Sequence, residues 1–431
     1  MKETFLHFIW QHQYFNTSQI FTKSGDPIRV INPGFKNHDE GPDFLNAKIM
    51  IGNIEWVGNI EIHIKSSAWY THGHHEHGAY NNVILHVVYN HDREVLFTDN
   101  SIIPTLELKH YIAKGLIEKC SKLIDTNTNI PCSESITNVD GLTVSAMINR
   151  SATHRLERKA ASFLKILKSL NNDWEECFYR HLAQNFGFKV NAAAFYRLTE
   201  LLPLKIIAKH TANLQEVEAL LFGMAGYLNQ DSVDEYYWNL KKEFQFMKHK
   251  YFASTEVMKP SEWKLLRLRP ANFPTIRIAQ FANLLNNYQS MFTTFLEEDS
   301  LENIKKLLRV KQSEYWCSHY LFGEKTEKKI PGLGEDSIDN IIVNTISVAL
   351  AAYSIAKDHQ LYLDRAIHFQ ENIEAEANSI IDEWKNLEVS INSAFESQGA
   401  IELYNEHCAK KACLECQIGH RIIKGKQRLD L

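Results

Sequence analysis

The sequence has no apolar run of the ~18 residues needed to cross a bilayer. The nearest approach, Ile341 to Ala356, is broken by Asn344, Thr345, Ser347 and Ser354. A secretory leader is not read either, because the opening apolar stretch carries Glu3, His7 and His12. Neither charge dominates: Lys plus Arg number 47, Asp plus Glu 52, and the formal net charge is −5. That balance excludes the all-over basic surface of a DNA-packaging protein and leaves room only for a local basic groove. A disulfide framework is missing too, since the seven cysteines are odd in number and irregularly spaced, as suits a reducing compartment. Repeats of fixed period and low-complexity tracts are also absent. These absences predict a soluble, cytoplasmic protein with no membrane partner.

What remains is an ordinary globular composition, 44% hydrophobic and 23% charged, over 431 residues. Length alone argues for two or three domains at roughly 100–200 residues each. Histidine stands out, with 20 residues, of which His63, His72, His74, His75, His77, His86 and His91 fall in one short stretch.

From Pro27 to about Tyr111 the chain reads as strands. Ala47–Ile51, Ile54–Lys65, Val83–Tyr89 and Glu94–Thr98 are separated by Gly, Asn and Asp clusters. The polar, turn-rich stretch around Asp125–Ser135 marks a boundary, and from Leu142 onward apolar residues recur at helical spacing. The expected organisation is a β-rich catalytic domain over 1–130, a linker over 131–141 and an α-helical domain over 142–431.

In Ile60-Glu61-Ile62-His63-Ile64-Lys65 the alternation is strict, so Glu61, His63 and Lys65 share one face. That face either meets solvent as a charged hairpin surface or forms a site. Gly41-Pro42-Asp43-Phe44 precedes the neighbouring strand. Two carboxylates on adjacent strands can hold Mg²⁺ or Mn²⁺ and leave positions for water and phosphate, while a base on the same face positions the attacking water. The arrangement resembles the PD-(D/E)xK nuclease superfamily. Pro42-Asp43 matches the first half of that signature and Glu61 the second acid, but His63 stands at the lysine position, with Lys65 two residues further on. The resemblance implies a mixed β-sheet of that type, in an α+β protein whose large helical domain follows it.

The next segment, Trp69 to Asn82, carries His72, His74, His75, Glu76 and His77 between glycines, and His86 sits alone in the apolar strand after it. Such a loop can bind Zn²⁺, Ni²⁺ or Fe²⁺, contact a phosphate, or shuttle protons near neutral pH. The bland alternatives are an exposed histidine-rich turn and, for His86, a satisfied core histidine.

Near the end of the chain Cys408, Cys413 and Cys416 follow a C-x4-C-x2-C spacing. Three such thiolates can reach one Zn²⁺ or one iron–sulfur cluster, and Cys132, Cys317, His407 and His420 are candidates for the fourth ligand. Cys132 would staple the chain end onto the β-rich region. Some RecB-like nucleases use a comparable iron–sulfur staple, with one early and three late cysteines. Cys120 and Cys177 read as buried small hydrophobes.

Several helical segments combine basic and aromatic residues: Trp263 to Arg277, Tyr315 to Tyr320, the Arg150, His154, Arg155, Arg158 and Lys159 face, and the terminal Arg421, Lys424, Lys426 and Arg428. Arginine beside aromatics suits nucleic acid, although internal ion pairs and ring packing account for the same residues.

Over its length the chain resembles the bacterial domain-of-unknown-function (DUF) 2851 family. The resemblance rests on Asp39 to Phe44, Glu61-Ile62-His63, His72-Gly73-His74, Asn82 to Val88, Arg267 to Pro274 and Cys413 to Cys416. It implies kinship without an activity. The residues point to a metal-dependent nuclease or related phosphodiesterase acting on nucleic acid. Asp43, Glu61 and His86 would serve as metal-site residues, His63 or Lys65 would position water, and His72, His74 and His75 would contact the phosphate. The alternatives are a non-catalytic binding or scaffold protein with structural metals, and a His/Glu-ligated transition-metal hydrolase of a small molecule.

Overall fold

The structure, a computed structural model, describes residues 1–229, 234–252, 255–265, 268–288 and 290–425. Arg267, Lys426 and Arg428, candidates above for nucleic-acid contact, lie outside the described residues. The chain divides into two compact units, one of residues 1–147, 383–389 and 402–431, the other of 148–382 and 390–401. The helical domain expected over 142–431 therefore gives up its cysteine-bearing end to the β-rich unit. The stretch expected as a linker, 131–141, is part of that unit too.

The first unit is built on a seven-stranded mixed sheet. Its strands are β1 (Ile20–Phe21), β2 (Pro27–Asn32), β3 (Phe35–Lys36), β4 (Phe44–Ile51), β5 (Ile54–Lys65), β6 (Val83–Asn90) and β7 (Thr105–Glu107). They run in the order β1-β2-β4-β5-β6-β7, with β3 paired to β4. The β4–β5 pair is antiparallel, whereas β5–β6 and β6–β7 are parallel. Glu94–Thr98, expected as a strand, makes only an isolated bridge, Leu96 to Ile102. The chain reverses there at Asn100, whose φ is +65°, too soon for a ladder to grow, and Thr105–Glu107 takes the edge position instead.

β5 is a central strand, between β4 and β6. Gly58 is required where β5 meets β6, because a Cβ there would lie 2.4 Å from Ile84 Cγ2 and 2.7 Å from the Asn82 carbonyl oxygen. Ile60 and Ile62 pair with Leu85 and Val87, so one face is apolar and wholly buried. Glu61 pairs with His86 and His63 with Val88, which puts the two histidines and the acid on the other face. That face is buried as well, with Glu61 4%, His63 1% and His86 0% exposed. The solvent-facing hairpin considered above is thereby excluded. Helix α1 (Glu3–Gln11) lies against β5 and buries Phe5, Leu6, Phe8, Ile9 and Trp10. Helix α2 (Ala68–Thr71) is anchored by Asp92, whose carboxylate accepts from the Ser67 N–H and hydroxyl at 2.9 Å each. A small apolar cluster of Trp69, Val83, Val95 and Ile103 sits beneath it. The unit continues through α3 (Leu116–Ile124).

The second unit is helical, including most of α4 (Gly141–Ser169), then α5 (Trp174–Phe186) and α6 (Phe188–Leu201) and the helices that follow. Its core contains Phe163, Tyr179, Phe186, Phe195, Phe281 and Trp316. A small antiparallel pair, His319–Leu321 with Glu324–Lys325, interrupts the helices. The aromatic run Tyr315–Tyr320 is packing material: Trp316 is fully buried and Tyr315 stacks on His319 at 4.0 Å. The stretch Glu335–Lys357 is long and apolar enough to cross a membrane, but 72% of its most apolar window is buried inside the protein, as befits a core helix.

Candidate metal centre

The buried polar face of β5–β6 is roofed by the segment from α2 to the 3-10 turns His74–Glu76 and Gly78–Tyr80. Gly73, at φ +72°, ends α2 in the left-handed region and turns His74 inward. Trp69 packs its ring 5.4 Å from those of both His74 and His86, and Tyr80 stacks on His74 at 3.9 Å.

His63 occupies the centre. Its Nδ1 is 2.8 Å from His86 Nε2 and its Nε2 is 3.1 Å from His72 Nδ1. One ring nitrogen from each of His63, His72 and His74 lies within 4.8 Å of the others, a spacing that one metal ion can close. Glu61 Oε1 is 3.1 Å from His74 Nε2 and 3.6 Å from His63 Nε2. His74 Nε2 nonetheless has no hydrogen-bond partner, so the close approach is off the N–H direction. Asp43 adjoins the set: its Oδ2 accepts from the Ile62 N–H at 2.9 Å, and its own N–H donates to Glu61 Oε2 at 3.2 Å.

Electrostatics fits this arrangement to a cation. Burial, then the nearby Asp43 carboxylate, pushes the Glu61 carboxyl up to about 9. Burial, then the neighbouring imidazoles, pulls His63 down to about 2, and burial likewise holds His86 at about 3 and His74 below the usual histidine range. Burial and Asp43 also raise Glu3. Neutral imidazole is the form that ligates metals. Trp69 Nε1, His74 Nε2 and His86 Nδ1 are buried without partners, each at a cost of about 1–3 kcal/mol. Packing stability gains nothing from such a cluster, which makes a functional reason for it the better account.

The structure thus brings Asp43, Glu61, His63, His72, His74 and His86 together. Within the group, His86 stands behind His63, orienting its ring from the far side. Lys65 is exposed at the end of β5, and His75 turns aside toward Glu76, 3.4 Å away. Sequence reading missed two members supplied by α1. His7 Nε2 lies 3.4 Å from Asp43 Oδ2, and Glu3 shares the field of Asp43 and His74. The available signal was one histidine inside the apolar run Phe5-Leu6-His7-Phe8-Ile9-Trp10.

The cysteines form a second group in the same unit. Cys132, Cys408, Cys413 and Cys416 are all unpaired and 6–8% exposed. Burial, then the charges of Cys416 and Cys413, pushes the Cys132 thiol up to about 12; burial, then Cys132, Cys416 and Cys413, raises Cys408. The four thiols therefore lie within electrostatic reach of one another, while among the described residues only the histidine trio already brings its ligand atoms within 4.8 Å. The N–H groups of Gly419 and Ile418 point at the Cys416 sulfur. Gly419 is required because a Cβ there would lie 2.1 Å from the Cys413 carbonyl oxygen. Lys411 reaches the Thr126 carbonyl at 2.7 Å and Lys36 pairs with Glu415 at 2.9 Å, holding this segment in place. Of the other candidates for a fourth ligand, Cys317 belongs to the other unit, and His420 packs against His12 at 4.1 Å. Cys120 and Cys177 are fully buried on α3 and α5, as read from the sequence.

Fold and site together define an α+β protein with a buried histidine and carboxylate centre on the face of a mixed sheet. Residues 3–379 match the family described as "Protein of unknown function (DUF2851)", and the chain belongs to that family. No curated protein and no solved structure matches it. The comparisons lend no support to the PD-(D/E)xK resemblance.

Proposed function

We propose that the first unit is a metal-dependent hydrolase, with a metal ion held by His63, His72, His74 and Glu61, and with phosphodiesters, including those of nucleic acid, as its substrates. The observation carrying this reading is the convergence of three imidazole nitrogens within 4.8 Å beside a buried carboxylate. Imidazole-rich donor sets prefer Mn²⁺, Zn²⁺ or Fe²⁺ to Mg²⁺, so the Asp43–Glu61 pair expected for Mg²⁺ or Mn²⁺ becomes one part of a mixed site. The ion would polarise the ester and acidify a bound water. Asp43, with its side chain 25% exposed, is placed to orient that water.

The test is metal content together with hydrolysis of DNA, RNA and bis(p-nitrophenyl) phosphate, in wild type, His72→Ala/His74→Ala and Glu61→Gln. Wild type should retain about one ion more than the histidine variant, beyond any metal held by the cysteines, and should cleave at least one of these esters. Metal retained without cleavage would favour the structural-scaffold reading. Equal metal content in wild type and variants would refute the site.

The four cysteines would hold a separate thiophilic centre, Zn²⁺ or an iron–sulfur cluster, that staples residues 402–425 onto the β-rich unit. Visible absorption and iron and zinc analysis of anaerobically purified protein distinguish the two. Neither metal at the cysteines would end this assignment.

A further inference from the structure

In the helical unit a cavity of about 520 Å³ opens beside the α5–α6 corner and the helix Pro274–Asn287, with Glu335 and Asp336 on its rim. That volume suits a small organic ligand. Phe188 and Val190, both with accessible surface, give it an apolar wall backed by the fully buried Phe186 and Phe195, and Arg277 brings a charged group into that wall.

Arg277 is only 7% exposed. Its Nη1 donates to Gln280 Oε1 at 3.0 Å, its Nη2 donates to Asn272 Oδ1 at 2.7 Å and Ser337 Oγ at 3.2 Å, and its Nε has no partner. Gln280 passes on to Gln312, and Gln312 donates to the Ile330 carbonyl at 2.9 Å. Every group in this chain is neutral. Among the described residues no carboxylate pairs with the guanidinium. Burial lowers Arg277 to about 10, which still leaves it charged at neutral pH. A buried cation held by amides, a hydroxyl and one aromatic face lacks the counter-charge that buried guanidinium groups normally have.

The wall around it is held under constraint. Gly187 turns the α5–α6 corner where a Cβ would lie 2.4 Å from the Asn191 carbonyl. Phe188 follows at φ +46°, a region bulky residues rarely adopt, and its ring lies under the guanidinium at 4.5 Å. Glu335 is occupied elsewhere, 2.9 Å from Arg309 Nε. Asp336 is exposed on the rim.

We propose that this cavity binds a small organic oxyanion, a phosphate or carboxylate carried on a flat ring, with its charge on Arg277 and its ring against Phe188 and Val190. The site lies in the other unit and does not depend on the metal centre.

The experiment titrates the full chain with inorganic phosphate, adenosine monophosphate and benzoate, by calorimetry and thermal shift. At least one probe should bind wild type, and the preference between adenosine monophosphate and benzoate separates phosphate from carboxylate. Arg277→Gln should weaken that binding about tenfold or more. Val190→Trp, at a 41% exposed position on the wall, should occlude the cavity without touching the buried network, so the test survives if Arg277→Gln fails to fold. Asp336→Lys should tighten binding about threefold by reversing a rim charge, an effect that a purely structural Arg277 would not produce. No binding to wild type, or Val190→Trp binding as wild type does, would overturn the proposal.

Discussion

His63 Nδ1 and His86 Nε2 lie 2.8 Å apart across the parallel β5–β6 pair, in rings that are almost wholly buried. The other nitrogen of His63 faces His72, so under the proposed reading His86 would act on a bound metal through the ring it orients.

Removal of such a supporting partner lowers metal affinity about 10- to 100-fold in comparable sites. His86→Ala should show a loss of that size in calorimetric titrations with Mn²⁺ or Zn²⁺, whereas His75→Ala, outside the set, should bind as wild type does. Equal affinities for wild type and His86→Ala would contradict the assignment.

Metal bound to the folded state alone stabilises it by mass action, by about 2.7 kcal/mol at a hundredfold excess over Kd. Thermal unfolding of wild type should therefore move upward on adding Mn²⁺ or Zn²⁺. The shift should vanish in His72→Ala/His74→Ala, whose own transition without metal should fall somewhat below that of metal-free wild type, because the exposed His72 packs little but the buried His74 ring stacks on Tyr80.

Glu218, in the helical unit, supplies a pH dependence of its own. Burial raises its carboxyl from 4.5 to about 7, against the opposing hydrogen bonds of Tyr236 and Ser313. A raised acid is neutral in both folded and unfolded states below about 4.5. Between about 4.5 and 7 the unfolded state ionises while the folded state still holds the proton, so stability of order 3 kcal/mol is lost across that window and the loss is complete once the folded group ionises. Glu218→Gln should abolish this slope and make the protein more stable than wild type at pH 8. Amide exchange in Leu214–Met224 at pH 5 and pH 8 reads the effect, and an unchanged slope would refute it.

Gly419→Ala would push a methyl group to within 2.1 Å of the Cys413 carbonyl. Relieving that overlap costs about 1–3 kcal/mol and must shift the turn that carries Cys413 and Cys416. The variant should lose the zinc or iron of the cysteine site while keeping the ion of the histidine site. Loss of neither would show that the glycine is not needed by the thiols.

Much of the metal centre was legible because it rests on local rules. The alternation through Ile60–Lys65 placed Glu61 and His63 on one face, and the glycine-bounded loop announced its histidines. Alternation could not say whether that face was covered, nor that Lys65 runs out past the end of the cover. Arg277 was open in the sequence between a nucleic-acid contact and an internally packed group, and the structure buries it on the core-facing side of its helix.

By itself the sequence determined the class of the protein, its strand-rich beginning and helical remainder, and the residue types able to bind metal. These follow from composition and from periods of 2 and 3.6 residues, which neighbours along the chain suffice to express. Only the tertiary structure decided which of those residues meet. Glu3 and His7 reach Asp43 because α1 folds across β5, and Cys132 joins thiols some 280 residues away because residues 402–425 return to the first unit. Such contacts are decided by which apolar faces bury one another, and no local period records that choice.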